Sequence, residues 1–141
     1  TDTAFQQVMV NCATTTRRID NTWITQEMIE TYSQLHVMGY AHSFEVWQEE
    51  KLVGGLYGIS LGRAFFGESM FHKVTDASKI AFYHLCQTVA EWNFDFIDCQ
   101  LPTPHLQSLG AQIISRQKFL RLLKLALDHP TKQGIWHTIT Q

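Results

Sequence analysis

Two acidic side chains in this sequence stand where apolar ones would be expected. Glu68 lies in the run Phe65-Phe66-Gly67-Glu68-Ser69-Met70-Phe71, and Asp98 lies in Ile97-Asp98-Cys99-Gln100. An unpaired charge in apolar surroundings is expensive, so each must turn to water or meet a partner. Period-two alternation puts Glu68 on one strand face with Phe66 and Met70, and Phe65, Gly67, Ser69 and Phe71 on the other. Glu68 then either faces solvent or holds a cation at the edge of a pocket that takes an apolar group. Asp98 and Gln100 share a face at the end of a strand, just before a loop marked by Pro102 and Pro104. Loops at strand ends are where a rigid scaffold offers chemistry. The plainer alternative pairs Asp98 with Arg63 or Lys79.

Other residue types exclude more than they suggest. Seven histidines, at 36, 42, 72, 84, 105, 129 and 137, stand in no catalytic or metal-binding pattern. Only His42, on a strand, and His105, beside the prolines, are expected near a site. H-E-x-x-H, G-x-S-x-G and the phosphate-binding G-x-x-x-x-G-K-[ST] are all missing, so neither metal catalysis nor a serine triad is expected. Gly54, Gly55, Gly58, Gly62 and Gly67 crowd two neighbouring strands. They mark either bulges or a ligand's close approach to backbone.

These residues must be held by a small scaffold. The chain has 141 residues, 45% hydrophobic and 17% charged, which fits a single folded domain over 1–141. Eleven Lys and Arg against 13 Asp and Glu give a net charge of −2, unlike a protein that grips long stretches of phosphate backbone. Cys12, Cys86 and Cys99 form no disulfide framework or zinc pattern and fit a reducing, cytoplasmic location. No apolar run is long enough to span a bilayer, so no membrane association is expected. The first residue is Thr1, not Met, and the chain is expected to be a piece of something longer.

Periodicity gives the element order α-α-β-β-β-α-β-α-(β)-α. Ala4–Thr14 reads as a helix with Phe5, Val8, Met9 and Cys12 inward, and Arg17–Thr22 as a polar loop. Thr25 caps a helix over Gln26–Met38, with Met28, Tyr32 and Leu35 on one face and Gly39 ending it. His42–Gln48, Leu52–Ser60 and Arg63–Met70 form an antiparallel meander. A helix over Asp76–Trp92 is capped by Asp76 and buries Phe82, Leu85, Val89 and Trp92. Phe94–Gln100 is a short strand, His105–Leu109 a helical turn and Ala111–Ile114 a brief strand. Arg116–Leu127 is a last helix burying Phe119, Leu120, Leu123 and Leu127. Residues 128–141 read as a polar tail in which Trp136 is free to dock. The class is α+β, with a mainly antiparallel meander packed against helices, the arrangement of a GNAT-like acyltransferase.

Several of these segments resemble one family. They are Thr22-Trp23-Ile24-Thr25, Gly39-Tyr40-Ala41-His42-Ser43, Glu45-Val46-Trp47 and Leu52-Val53-Gly54-Gly55-Leu56-Tyr57-Gly58. Gly67-Glu68-Ser69-Met70-Phe71, Ala77-Ser78-Lys79, Ile97-Asp98-Cys99-Gln100, His105-Leu106 and Ser108-Leu109-Gly110-Ala111 follow in order. Together they resemble the C-terminal domain of the leucyl/phenylalanyl-tRNA–protein transferases, bacterial aminoacyltransferases of the N-end rule. The resemblance implies a fold similar to GNAT enzymes and to the peptidoglycan-bridge aminoacyltransferases.

It also implies transfer of Leu or Phe, sometimes Met, from aminoacyl-tRNA to proteins that begin with Arg or Lys. The reaction would use no ATP, metal, coenzyme A or other cofactor, in a cytoplasmic monomer. By the same resemblance, Asp98, Gln100 and Glu68 attend the reacting amine. The Gln100 carbonyl oxygen accepts from it, Asp98 orients the Gln100 amide, and Glu68 complements the acceptor's cation. Leu56, Phe65, Met70, Phe82, Leu85 and Ile97 would wall an apolar donor pocket, with Gly67 beside it. Trp23 either stacks on the terminal adenine of the tRNA or plugs the edge of the core. The family's N-terminal domain, with its basic helix, is not found before Thr1, which accounts for the charge of −2. Two other readings stay open. A coenzyme-A acetyltransferase lacks support, because Phe71–Lys79 has no Gly-rich pyrophosphate loop. A non-catalytic adaptor for basic N-termini is the other.

Overall fold

The computed structural model describes residues 1–15 and 22–137. The loop expected over Arg17–Thr22 lies outside them up to residue 21, as do residues 138–141. Five helices and four strands run in the order α1 (Phe5–Thr15), α2 (Gln26–Val37), β1 (Ala41–Gln48), β2 (Lys51–Leu61), β3 (Ala64–His72), α3 (Ala77–Glu91), β4 (Phe96–Asp98), α4 (Pro104–Ser108) and α5 (Arg116–Leu127) among the described residues. The class is α+β. The sheet is mixed, in spatial order β1-β2-β3-β4; the first two pairings are antiparallel and β3 runs parallel to β4. A parallel pair needs a crossover, and α3 supplies it.

Both faces of the sheet are covered. Helices α1 and α2 bury Phe5, Val8, Met9, Cys12 and Ile29 against Ala41, Tyr57 and Phe71. Helix α3 buries Ala81, Leu85 and Val89 against Phe44, Leu56 and Phe65. The inward face of α1 is the expected one. On α2 the fully buried residue is Ile29, with Tyr32 and Leu35 half-buried beside it. Thr25 caps α2 by accepting from the Met28 N–H at 3.2 Å, and Gly39 ends it at φ +82°.

Turns and glycines fit the helices closely to the sheet. The β1–β2 hairpin closes through Glu49 and Glu50, both at positive φ, as a right-handedly twisted two-residue turn requires. Gly54 lets the first turn of α3 lie on β2, because a Cβ there would come within 2.5 Å of the Ala77 Cβ. Crowded packing therefore explains Gly54 without a ligand.

Four sequence expectations change. Asp76 is not a side-chain cap; it sits at φ +65° and pairs with Lys79 at 2.6 Å. The Lys79 ammonium holds its carboxyl below the usual carboxylate range. Residues 111–114 form no strand, and Ile113 points to solvent. The strand expected over Phe94–Gln100 is ordered only through Phe96–Asp98. Helix α5 lies on the surface, with Leu120 and Leu127 exposed and only Ala126 fully buried. Its Phe119 ring packs edge-on against Phe96, and the Ala126 carbonyl accepts the Arg63 N–H.

The tail expected from residue 128 is a strap. Trp136 is 2% exposed, inserted among Phe44, Phe65, Trp92 and Phe94 and stacked on His42 at 3.7 Å. Its backbone N–H donates to Asp2 Oδ2 at 2.7 Å, and its indole N–H donates to the Lys132 carbonyl at 3.0 Å. Asp2 Oδ2 also meets His42 Nδ1 at 2.8 Å. His42, expected near a site, is therefore a fully buried member of a polar knot that ties the tail to β1.

Candidate functional site

The site forms where the β3–β4 pairing stops. Only Ala64, Phe65 and Phe66 of β3 pair with β4, opposite Phe96, Ile97 and Asp98. Beyond them the ladder is replaced by one side chain: Gln100 Nε2 donates to the Gly67 carbonyl at 2.9 Å. Gln100 itself is at φ +63°, a left-handed conformation that side chains resist. Asp98 holds it there, its Oδ1 accepting the Gln100 backbone N–H at 2.8 Å.

Glu68 owes its position to a bulge. Tyr57 of β2 faces Ser69 while the next residue, Gly58, faces Gly67, so Glu68 is the extra residue on β3. The bulge changes the phase of the strand. Phe65 and Met70 come to the α3 side and Phe71 to the α1 side, whereas strict alternation had grouped Phe65 with Phe71. The Glu68 carboxylate hydrogen-bonds with the side chains of Tyr32 and Gln100. A carboxylate only accepts, so the Gln100 amide gives one N–H to Glu68 and one to Gly67. Its carbonyl oxygen is left as the acceptor.

Burial raises the carboxyl pKa of Glu68, the hydrogen bonds oppose this, and the nearby Asp98 charge raises it further. Burial, then Glu68, pushes the Tyr32 hydroxyl up to about 12. Among the described residues neither Glu68 nor Asp98 has an ion-pair partner. Arg63 pairs instead with Asp95 at 2.8 Å and Lys79 with Asp76, which removes the plainer account of Asp98.

Glu68 lies on the wall of a cavity of about 290 Å³ between β2, β3, α3 and the segment carrying α4. That is near the low end of small-ligand sites (roughly 300–1,000 Å³). Leu56, Met70, Phe82, Leu85 and Ile97 line it, and Gly67 lines it too. His105 and Leu106 of α4 close another side. Cap Thr103 starts that short helix by accepting from the Leu106 N–H at 3.1 Å.

A groove of about 830 Å³ lies across the 97–101 segment from the cavity and shares Phe82, Ile97, Cys99 and Leu101 with it. Asp98 and Gln100 line this groove rather than the cavity. The carboxylate–carboxamide cluster is thus a partition between two spaces.

Three of the expected site residues behave differently. Phe65 does not line the cavity; it is fully buried behind the wall, between Phe44 and the docked Trp136. Trp23 is 52% exposed, two residues ahead of the α2 cap, and lines neither space. Asp98 bonds the Gln100 main chain, while Glu68 and Gly67 orient its carboxamide. Sequence reasoning passed over Tyr32 and Tyr57. Tyr32 had been counted only as part of a helix face, although a hydroxyl on an inward helix face is itself a signal.

Fold and site together define an α+β protein whose ligand cavity opens where a parallel strand pair separates, with paired acids and a fixed carboxamide at its mouth. The family model for leucyl/phenylalanyl-tRNA protein transferase matches residues 1–124. Similar proteins carry the name leucyl/phenylalanyl-tRNA–protein transferase. That of Legionella pneumophila (strain Corby) is 67% identical over 135 residues, 96% of this chain and 61% of the relative. Those of Stutzerimonas stutzeri (strain A1501) and Nitrosospira multiformis are 52% and 51% identical, over 92% and 96% of this chain and 58% and 59% of theirs. The chain belongs to the leucyl/phenylalanyl-tRNA–protein transferase family. It spans about 61% of the length of the first of these relatives.

Proposed function

We propose that residues 1–141 form a GNAT-like aminoacyltransferase domain that moves leucine or phenylalanine, and sometimes methionine, from aminoacyl-tRNA to the α-amine of proteins beginning with Arg or Lys. The observation that carries this reading is the partition: an apolar cavity of about 290 Å³ on one side of Gln100 and an open groove on the other. An acyl donor fills the first and an amine acceptor approaches from the second. Aminolysis of an ester needs the two reactants held close and the amine relieved of a proton as it attacks.

The donor's side chain enters between Leu56, Met70, Phe82, Leu85 and Ile97. Its ester carbonyl then lies beside the cluster. The Gln100 carbonyl oxygen accepts a hydrogen bond from the attacking α-amine and aims its lone pair at the ester carbon. Gln100 is far too weak a base to keep a proton, so its contribution is positioning and electrostatic. As the C–N bond forms and the ester C–O bond breaks, the departing ribose oxygen takes the proton. Asp98, at the groove, fixes the Gln100 backbone and adds negative potential that favours a cationic acceptor. Glu68, at the cavity, holds a cation at its mouth. Trp23 stacks on the terminal adenine of the tRNA. The domain works as a cytoplasmic monomer without a cofactor.

Donor choice follows from the cavity's shape. γ-Branched and unbranched side chains enter, and β-branched ones meet the neck, a discrimination of about 1–3 kcal/mol. Titration with a non-hydrolysable 3′-leucylamido-adenosine and its isoleucyl counterpart tests the reading. The leucyl compound should bind about tenfold or more tightly than the isoleucyl one. Equal affinities, or no binding of either, would overturn the donor assignment.

A further inference from the structure

One polar atom of the cavity has no role so far. Tyr57 lines the cavity on β2 and is fully buried, yet its hydroxyl has no hydrogen-bond partner among the described residues. Orphaned buried hydroxyls are uncommon, since each forfeits its bonds to water without replacement. The ring is held rigidly by edge-on contacts with Phe5 at 6.0 Å and Tyr32 at 5.7 Å, so the hydroxyl cannot easily swing to a partner. The charged and titratable groups that feel it are Glu68, Tyr32 and Cys12. Cys12 is spoken for by Ser69, and Tyr32 by Glu68.

The hydroxyl and Glu68 are therefore two acceptors at one end of a mostly apolar cavity. A ligand that satisfies both must present N–H donors, must carry positive charge to suit Glu68, and must have an apolar group on an adjacent atom. An oxyanion is excluded there by the carboxylate. An amino acid esterified through its carboxyl fits the description: its α-ammonium and its side chain leave the same carbon.

Building on the proposed donor cavity, we infer that the Tyr57 hydroxyl and Glu68 together bind the α-ammonium of the donor aminoacyl group. The site consequently distinguishes a free amino acid ester from an α-hydroxy or N-acylated one. Tyr57 is then a donor-binding residue that leaves the acceptor untouched. Glu68 is turned toward the donor, so the acceptor's cation is met on the groove side by Asp98.

The test compares leucyl-tRNA with its α-hydroxy counterpart, prepared by nitrous-acid deamination, in the chain and in Tyr57→Phe. The wild-type chain should prefer the amine donor. Tyr57→Phe should lower kcat/KM for leucyl-tRNA about 10- to 100-fold, the scale of one hydrogen bond to a charged group. It should leave the α-hydroxy donor unchanged, so that the preference collapses. Removing an unpaired hydroxyl should also leave the melting temperature unchanged or raised, which separates this loss from misfolding. Equal losses with both donors, or no loss with either, would overturn the inference.

A binding arm keeps the two proposals apart. 3′-Leucylamido-adenosine and its desamino analogue are titrated into both proteins, which needs no turnover. If the wild-type chain transfers nothing but its preference for the amine analogue disappears in Tyr57→Phe, the transferase reading fails and the amine site stands. If both analogues bind both proteins alike, the amine site fails whatever the transfer assay reads.

Discussion

Replacing Asp98 separates a hydrogen bond from a charge. Its Oδ1 accepts the Gln100 backbone N–H at 2.8 Å and so holds Gln100 at φ +63°. A bond to a carboxylate is worth about 1.5–3 kcal/mol, and in this partly exposed position the lower figure applies. A left-handed residue other than glycine costs about 1–2 kcal/mol, so bond and strain nearly cancel. Asp98→Ala removes the bond and keeps the strain, and the Gln100 main chain relaxes. The carboxamide then leaves the Gly67 carbonyl, to which Nε2 donates at 2.9 Å. A misplacement of about 1 Å in a positioning group costs roughly 100-fold in rate. Asp98→Asn retains an acceptor oxygen, with a neutral bond of about 0.5–1.5 kcal/mol, and should lose about tenfold or less. Single-turnover transfer from leucyl-tRNA to an Arg-starting peptide reads the chemical step, and titration with 3′-leucylamido-adenosine reads donor affinity. Both variants should bind the donor analogue normally and differ by about tenfold in rate. If Asn were as damaging as Ala, charge and not backbone geometry would be the operative quantity. Wild-type rates in Asp98→Ala would remove the residue from the site.

Three further outcomes follow from the geometry. Met70→Ala, on the cavity wall, should narrow the leucine-over-isoleucine ratio in competition assays. Phe65→Ala, behind the wall, should cost about 3–5 kcal/mol in denaturant unfolding, and any change in donor ranking by it should be small beside that of Met70→Ala. Trp136→Ala should cost a similar amount, since it empties the space among Phe44, Phe65, Trp92 and Phe94. Glu68→Gln should raise stability at neutral pH. The folded protein raises the Glu68 pKa, so its carboxyl favours folding below the ordinary carboxylate range and loses that contribution as pH rises through the folded value. The melting-temperature gain of the Gln variant should therefore shrink as the pH is lowered through that range, and a gain independent of pH would contradict the assignment.

What the sequence made legible divides along a physical line. The inward face of α1 and the Thr25 cap depend on residues within one or two turns of each other, and both were readable. The acids at 68 and 98 stood out because a charge in an apolar run demands a reason. What could not be read was anything set by a distant partner. The bulge at Glu68 arises from how β3 meets β2, and it moved Phe65 and Met70 to one face against simple alternation. The docking of Trp136 against His42 joins residues 94 apart in sequence, so a tail that looked polar proved to be core. Helix α5 shows the converse: its leucines promised a buried face, but only Ala126 is fully covered. The resemblance named the residues of the site, and it did not reveal that Asp98 grips the Gln100 backbone while Glu68 and Gly67 hold the amide.

The most direct test of the central claim is transfer itself. Labelled leucine on leucyl-tRNA is incubated with an Arg-starting peptide and this chain, with Gln100→Ala in parallel. The account predicts an N-terminally leucylated peptide from the unaltered chain and a loss of about 100-fold or more in the variant, with donor-analogue binding retained. Equal transfer by both proteins would contradict it. So would a failure of the unaltered chain to transfer leucine while it still binds the leucyl analogue.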